Sequence, residues 1–237
     1  MKRLLIVAAL LVAFDERLDS APPQAGAGAI KGHVRLNGKL PGNPVIRMGR
    51  DPMCSRVNAG KLVVQETVMA ALDGSLANVF VRLQGTFPPT PVPTTPAVID
   101  QRGCIYRPRV IGVRVGQTVQ IKNSDNFRHN VHSLSAHGGN FNIGQARAGV
   151  VYEFKPKQEE VMMRLKCDVH TWMNAFIGVV TNPYFAVTAD AGNFQIDKVP
   201  PGTYTIQAWH EAYGFVSKTV TVRAGATSTV DFTYAPK

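Results

Sequence analysis

Helical periodicity is hard to find anywhere in this chain, whereas short runs rich in Val, Ile, Thr, Phe and Tyr recur between Gly, Pro, Asn and Asp punctuation. Runs of that length bury alternate residues on a pleated surface, so they predict an all-β chain built of sandwiches. Strands are expected at 29–36, 77–83, 110–115, 118–123, 150–154, 161–166 and 177–181. A second set is expected at 185–188, 193–196, 203–209, 217–222 and 229–234. Residues 87–96 hold five prolines, which excludes a central strand because Pro has no N–H to give a ladder. That stretch reads as an exposed loop. With 237 residues, 45% of them hydrophobic, the chain can bury one large core or two small ones.

The N-terminus has the layout of an export signal. Lys2 and Arg3 precede an uncharged apolar run from Leu4 to Phe14 that stops at Asp15 and Glu16. Such a run is too short to span about 30 Å of hydrocarbon. Small residues from Ala25 to Ala29 offer an A-x-A cleavage site, with Leu11-Val12-Ala13 as a second option and an uncleaved anchor as the competing reading. The expected leader is residues 1–27, no transmembrane span is left after its cleavage, and the destination is periplasmic or extracellular. No Cys lies near the run to carry a lipid.

The net charge of +10 survives removal of the leader, because Lys2, Arg3 and Arg17 are balanced there by Asp15, Glu16 and Asp19. A cationic surface favours anionic partners: an acidic redox protein, a membrane surface or a polyanion. Nucleic acid is set aside, since export removes the chain from it and no basic run with interleaved aromatics occurs.

Two segments carry chemistry. Cys167-Asp168-Val169-His170-Thr171-Trp172-Met173 places a thiolate, an imidazole and a thioether within seven residues, between two strand-like runs. Soft donors of this kind suit copper, which cycles between Cu(I) and Cu(II). The segment from Asn123 to His132 supplies a further imidazole at His129. Two imidazoles and a thiolate in a plane, with a long axial thioether, make a blue-copper electron-transfer site.

On those residues the chain resembles the cupredoxin family. The H-N-V sequence at 129–131 is similar to that family's first-ligand loop, and the C-x2-H-x2-M sequence at 167–173 is similar to the short ligand loop of amicyanin. The resemblance implies a Greek-key sandwich over residues 76–181 holding one copper ion through His129, Cys167, His170 and Met173. It also implies that Asn130 bonds between the two ligand loops. Trp172 and Phe176 would form the apolar surround of Cys167. His132 and His137 follow His129 closely and are read as solvated by default, with an added ligand role left open.

With Cys167 assigned to metal, Cys54 and Cys104 form an even pair, and in an exported chain a disulfide between them is the default. Two buried thiols, or a Cys104–Cys167 bond that would destroy the copper site, are the alternatives.

Past Thr181 the character changes. Residues 188–196 read T-x-x-x-G-x-F-x-I and residues 199–204 read V-P-P-G-T-Y, a pattern similar to the carboxypeptidase regulatory-like module, a small transthyretin-like or carbohydrate-binding-like sandwich. Residues 182–237 are few for an independent core. The stretch 29–46 resembles the first strand of the same module, so residues 28–48, within an N-terminal segment of 28–75, are expected to dock on 182–237 with the copper domain inserted between them. Trp209, His210 and Glu211 read as half-buried packing with a solvated edge, although a sugar-stacking face is the sharper alternative.

Three functions remain. The first is one-electron transfer to a redox partner, without catalysis. The second is copper handling or copper enzymology at an open, His-rich site, against which stands the lack of any H-x-H pair of the multicopper-oxidase kind. The third is a cell-surface module that binds carbohydrate or protein. Neither H-E-x-x-H nor a Ser/His/Asp order appears to support peptidase chemistry.

Overall fold

A computed structural model describes residues 26–235 apart from Gly138. The expected leader lies outside the described residues except for Gly26 and Ala27. Among the described residues, seventeen strands, one single-turn 3-10 helix at Met48–Arg50 and one six-residue α-helix make up the regular structure, so the chain is all-β as its punctuation predicts.

In chain order, β1 (Gly28–Leu36), α1 (Pro52–Val57) and β2 (Phe80–Gln84) come first. The middle of the chain contributes β3 (Ala97–Gln101), β4 (Tyr106–Arg107), β5 (Val110–Arg114), β6 (Val119–Asn123) and β7 (His129–Leu134). It continues with β8 (Asn142–Gln145), β9 (Val151–Phe154), β10 (Glu160–Lys166) and β11 (Asn174–Val180). The chain closes with β12 (Phe185–Val187), β13 (Asn193–Val199), β14 (Gly202–His210), β15 (Gly214–Val222), β16 (Thr227–Thr229) and β17 (Phe232–Tyr234).

The middle strands form two sheets, ordered β5-β11-β10-β7-β8 and β4-β3-β6-β9. Their facing residues, among them Ile99, Val113, Ile121, Val131, Leu165 and Ile177, close one core. The remaining strands form a second pair of sheets. One is ordered β12-β2-β14-β15; in the other, β1 pairs antiparallel with β13 and parallel with β16 and β17. The first and last strands of the described residues therefore share a sheet. β1 alternates strictly between buried and more exposed positions, sending Ile30, Val34 and Leu36 into the core with Ile206 and Phe232. β2 falls within 76–181 yet pairs with β12 and β14, so the small C-terminal stretch gains core from two distant segments.

The two sandwiches meet across Phe80. Gly112 and Gly178 face each other in register across β5 and β11. A Cβ on Gly178 would lie 2.5 Å from the Phe80 ring, and one on Gly112 would lie 2.4 Å from Phe185. The glycine pair makes the flat bed on which these rings rest. Phe176 and Trp209 pack beside them with ring centroids 5.1 Å apart. Glu211 is not the solvated edge its sequence suggests: both its oxygens accept from the buried Arg109 guanidinium.

Candidate metal centre

His129 opens β7 and His170 lies in the loop between β10 and β11, two strands that flank that loop and put it beside β7. Cys167 leaves β10, and the loop closes on itself: the Cys167 N–H donates to the Met173 carbonyl at 3.2 Å and the Met173 N–H to the His170 carbonyl at 2.9 Å. His129, Cys167, His170 and Met173 are each 0–1% exposed. Two imidazoles so deeply buried need partners or they cost stability.

The two imidazoles face each other through Nδ1, 3.0 Å apart, with their rings 65° from coplanar. Cys167 Sγ lies 3.7 Å from His170 Nδ1, and one donor atom from each of His129, Cys167 and His170 falls within 4.8 Å of the others. Metal–nitrogen bonds of about 2.0–2.1 Å and a metal–thiolate bond of about 2.3 Å span such separations from one central ion.

The outer nitrogens are engaged elsewhere. His129 Nε2 meets Asp125 Oδ2 at 2.9 Å and His170 Nε2 meets Asp51 Oδ2 at 2.9 Å. An imidazole that gives its Nε2 hydrogen to a carboxylate keeps a lone pair at Nδ1. The two Nδ1 atoms then face one another beside a sulfur, an arrangement that needs a proton or a metal ion between them to offset the repulsion of their lone pairs. The residues present fit a soft metal ion.

Burial alone pushes the Cys167 thiol up, but hydrogen bonds from His129, His170 and the Asn130 amide outweigh it and bring the group down to about 6. Burial pulls the His129 and His170 imidazoles down, and bonds to Asp125, Asp51 and Cys167 raise both above their ordinary value. Asp125 is lowered despite its burial, because it accepts from His129 and from the Cys104 and Gly103 amides. The same neighbours favour the thiolate, the form that binds metal.

Asn130 joins the two ligand segments. Its N–H donates to Cys167 Sγ at 3.5 Å, its Oδ1 accepts from the Asp168 N–H at 2.5 Å, and its Nδ2 donates to Asp168 Oδ2 at 3.2 Å. Trp172 lies 5.2 Å from the His170 ring and donates from Nε1 to the Cys104 carbonyl at 2.9 Å. Phe176 packs in the junction between sandwiches instead of around Cys167. His132 turns to Asp168, meeting its carboxylate at 3.0 Å, and His137 is exposed in the loop after β7. Among the described residues neither joins a cluster of three donors.

Cys54 and Cys104 form a disulfide with their Cα atoms 5.8 Å apart, and Cys167 is the free, buried thiol. The pairing keeps Cys104 off Cys167. The sequence reading missed what surrounds it: Asp51 and Cys54 Sγ both touch His170 Nε2, the latter at 3.3 Å. It also missed Asp125. Asp51-Pro52 carried a signal, since Asp before Pro is an N-cap followed by a favoured first helical residue, and Asp51 Oδ1 does accept from the Cys54 N–H at 2.8 Å.

Among known proteins, the carboxypeptidase regulatory-like domain family matches residues 174–235. No curated protein sequence matches the chain. Solved structures similar to it include the copper-containing nitrite reductase of Thermus scotoductus SA-01, 21% identical over 39% of this chain and 25% of that one, with a TM-score of 0.33. A purple cupredoxin from Nitrosopumilus maritimus is 24% identical over 35% of this chain and 99% of its own, at a TM-score of 0.32. An oxidised amicyanin variant is 22% identical over 35% of this chain and 81% of its own, at 0.32. The chain thus spans a quarter of the nitrite reductase and most of each small cupredoxin, while its last sixty or so residues match the carboxypeptidase regulatory-like domain.

Proposed function

We propose that this chain is an exported mononuclear copper protein that carries single electrons, with His129, Cys167, His170 and Met173 as the residues that would hold the ion. The observation that supports it most is the pair of buried imidazoles presenting Nδ1 to each other at 3.0 Å beside a thiol lowered to about 6. Copper held there would supply one-electron exchange between Cu(I) and Cu(II).

The chain's own residues do the rest. Asp125 and Asp51 fix the orientation of the two rings through their outer nitrogens. Asn130 holds Cys167 against the first ligand segment and donates to its sulfur, which withdraws density from the thiolate. Burial of all four donors keeps water from the centre. A buried donor set held by these hydrogen bonds would change little between oxidation states, which favours a carrier over a catalyst. The +10 charge suits an acidic redox partner, and the disulfide suits an oxidising, extracytoplasmic compartment.

Copper titration tests this reading. Wild-type protein is expected to take up one equivalent, and Cys167→Ser to lose most of its affinity; uptake that is equally tight in the variant, or no stoichiometric uptake by wild type, would overturn it.

A further inference from the structure

We propose that Asp51 and the Cys54–Cys104 disulfide belong to the metal centre: Asp51 positions the His170 imidazole, and the disulfide clips the segment carrying Asp51 over the outer edge of that ring. The inference rests on the copper reading of His129, Cys167 and His170.

Residues 48–57 are not part of either sheet of the copper-side sandwich. They form the 3-10 turn and α1, too short to hold a place by their own hydrogen bonds. The segment is nonetheless fixed where it matters. Cys54 is fully buried and bonded to Cys104, fully buried on the sandwich side. Asn58 Nδ2 donates to the Gly103 carbonyl at 3.0 Å, a second tie to the same loop.

Each oxygen of Asp51 has one task. Oδ1 caps α1 at the Cys54 N–H, and Oδ2 meets His170 Nε2 at 2.9 Å. Cys54 Sγ stands 3.3 Å from that same nitrogen, and Trp172 covers the ring with its own indole tied to the Cys104 carbonyl. His170 is thereby held on three sides by groups that converge on one disulfide. The arrangement mirrors the other imidazole, whose partner Asp125 accepts from the Cys104 and Gly103 amides. One disulfide therefore braces the carboxylate partners of both rings.

Two consequences follow for the bound ion. The His170 ring cannot turn its Nδ1 away from Cys167 without breaking the Asp51 contact, so Asp51 strengthens metal binding while never touching the metal. The clipped segment also covers the outer edge of His170, so release of a bound ion past that edge would require the segment to move first.

The test uses the full copper-loaded chain with two variants. Asp51→Ser keeps a good helix cap but has no second oxygen to reach His170. Cys54→Ser combined with Cys104→Ser frees the cover without leaving a stray thiol. Outer-sphere partners of metal-ligating imidazoles typically govern affinity by about 10–100-fold, so Asp51→Ser is expected to lose about that much copper affinity and to shift the EPR parameters. The double cysteine variant is expected to surrender copper to a Cu(I) chelator faster than wild type. Asp51→Ser with wild-type affinity and spectrum overturns the positioning role, even where the double variant fails to fold. Unchanged chelator transfer in a folded double variant overturns the clip. Wild-type protein that takes up no copper sinks the copper reading alone. Positioning is then read from hydrogen exchange of the Cys167 and Met173 amides in metal-free protein, which speeds up in Asp51→Ser if Asp51 holds the loop and stays the same if it does not.

Discussion

The two sandwiches obey the same period-two alternation but treat buried polar groups in opposite ways. The sandwich that contains β1 and β17 fills its interior with Ile30, Val34, Leu76, Ile206 and Phe232. Its one buried imidazole, His210, is 1% exposed; its Nδ1 accepts from the Ala212 N–H, and its Nε2 finds no partner among the described residues. Burial, and then the nearby Arg109 charge, push that group down to about 4, so it stays neutral. In the other sandwich both buried imidazoles have a carboxylate at one nitrogen and a second donor atom at the other, and both are raised. A lone buried histidine is tolerated by losing its proton, whereas a matched set marks a candidate site.

The largest effect on this contrast is expected at the junction. Phe80→Ala removes a fully buried ring bedded on Gly112 and Gly178 and should cost about 3–5 kcal/mol. If the junction couples the sandwiches, calorimetry of the variant shows two separated transitions in place of one; a single transition merely shifted down would mean that the coupling lies elsewhere. Replacing Cys54 and Cys104 by Ser comes next, at about 4 kcal/mol on the chain-entropy account of a loop of this length. That loss arises in the sandwich that holds His129 and His170, and calorimetry of the double variant should show the shared transition moved to lower temperature.

The third prediction concerns His210. Above pH 6.5 its folded and unfolded forms are both neutral and nothing is lost. As pH falls from 6.5 toward about 4 the unfolded chain takes up a proton that the folded chain refuses, and stability drops by about 3 kcal/mol across that window. Urea unfolding at pH 7 and pH 4 should show this slope in wild type and a shallower one in His210→Gln. Equal slopes would place the proton-linked loss at other groups. The smallest expected effect is Trp172→Phe, which gives up one hydrogen bond to the Cys104 carbonyl, about 1 kcal/mol, and which copper-loaded thermal melts should resolve.

What the sequence disclosed depended on the range of the interactions. The C-x2-H-x2-M loop was legible because its donors are close in the chain. Most strands were legible from alternation. β7 was not, since His129 and Asn130 are polar residues buried for their chemistry and break the apolar pattern that marks a strand. β3 was hidden behind the prolines of 87–96, although its Ile99 is fully buried. The expected strand at 229–234 is interrupted at Val230 and Asp231, dividing it between β16 and β17. Asp51 and Asp125 were missed for different reasons. Asp51 meets His170 from 119 residues away, beyond any local pattern. Asp125 lies one turn of chain before His129, where a carboxylate in a polar loop has no distinguishing mark until the fold folds it inward.

The central claim is most directly tested by the optical and EPR spectra of the Cu(II)-loaded protein beside Cys167→Ser. The account predicts an intense thiolate-to-copper band in the visible and narrow copper hyperfine splitting, both lost in the variant. A weak tetragonal spectrum that is the same in both proteins would contradict it, because copper would then be bound without Cys167.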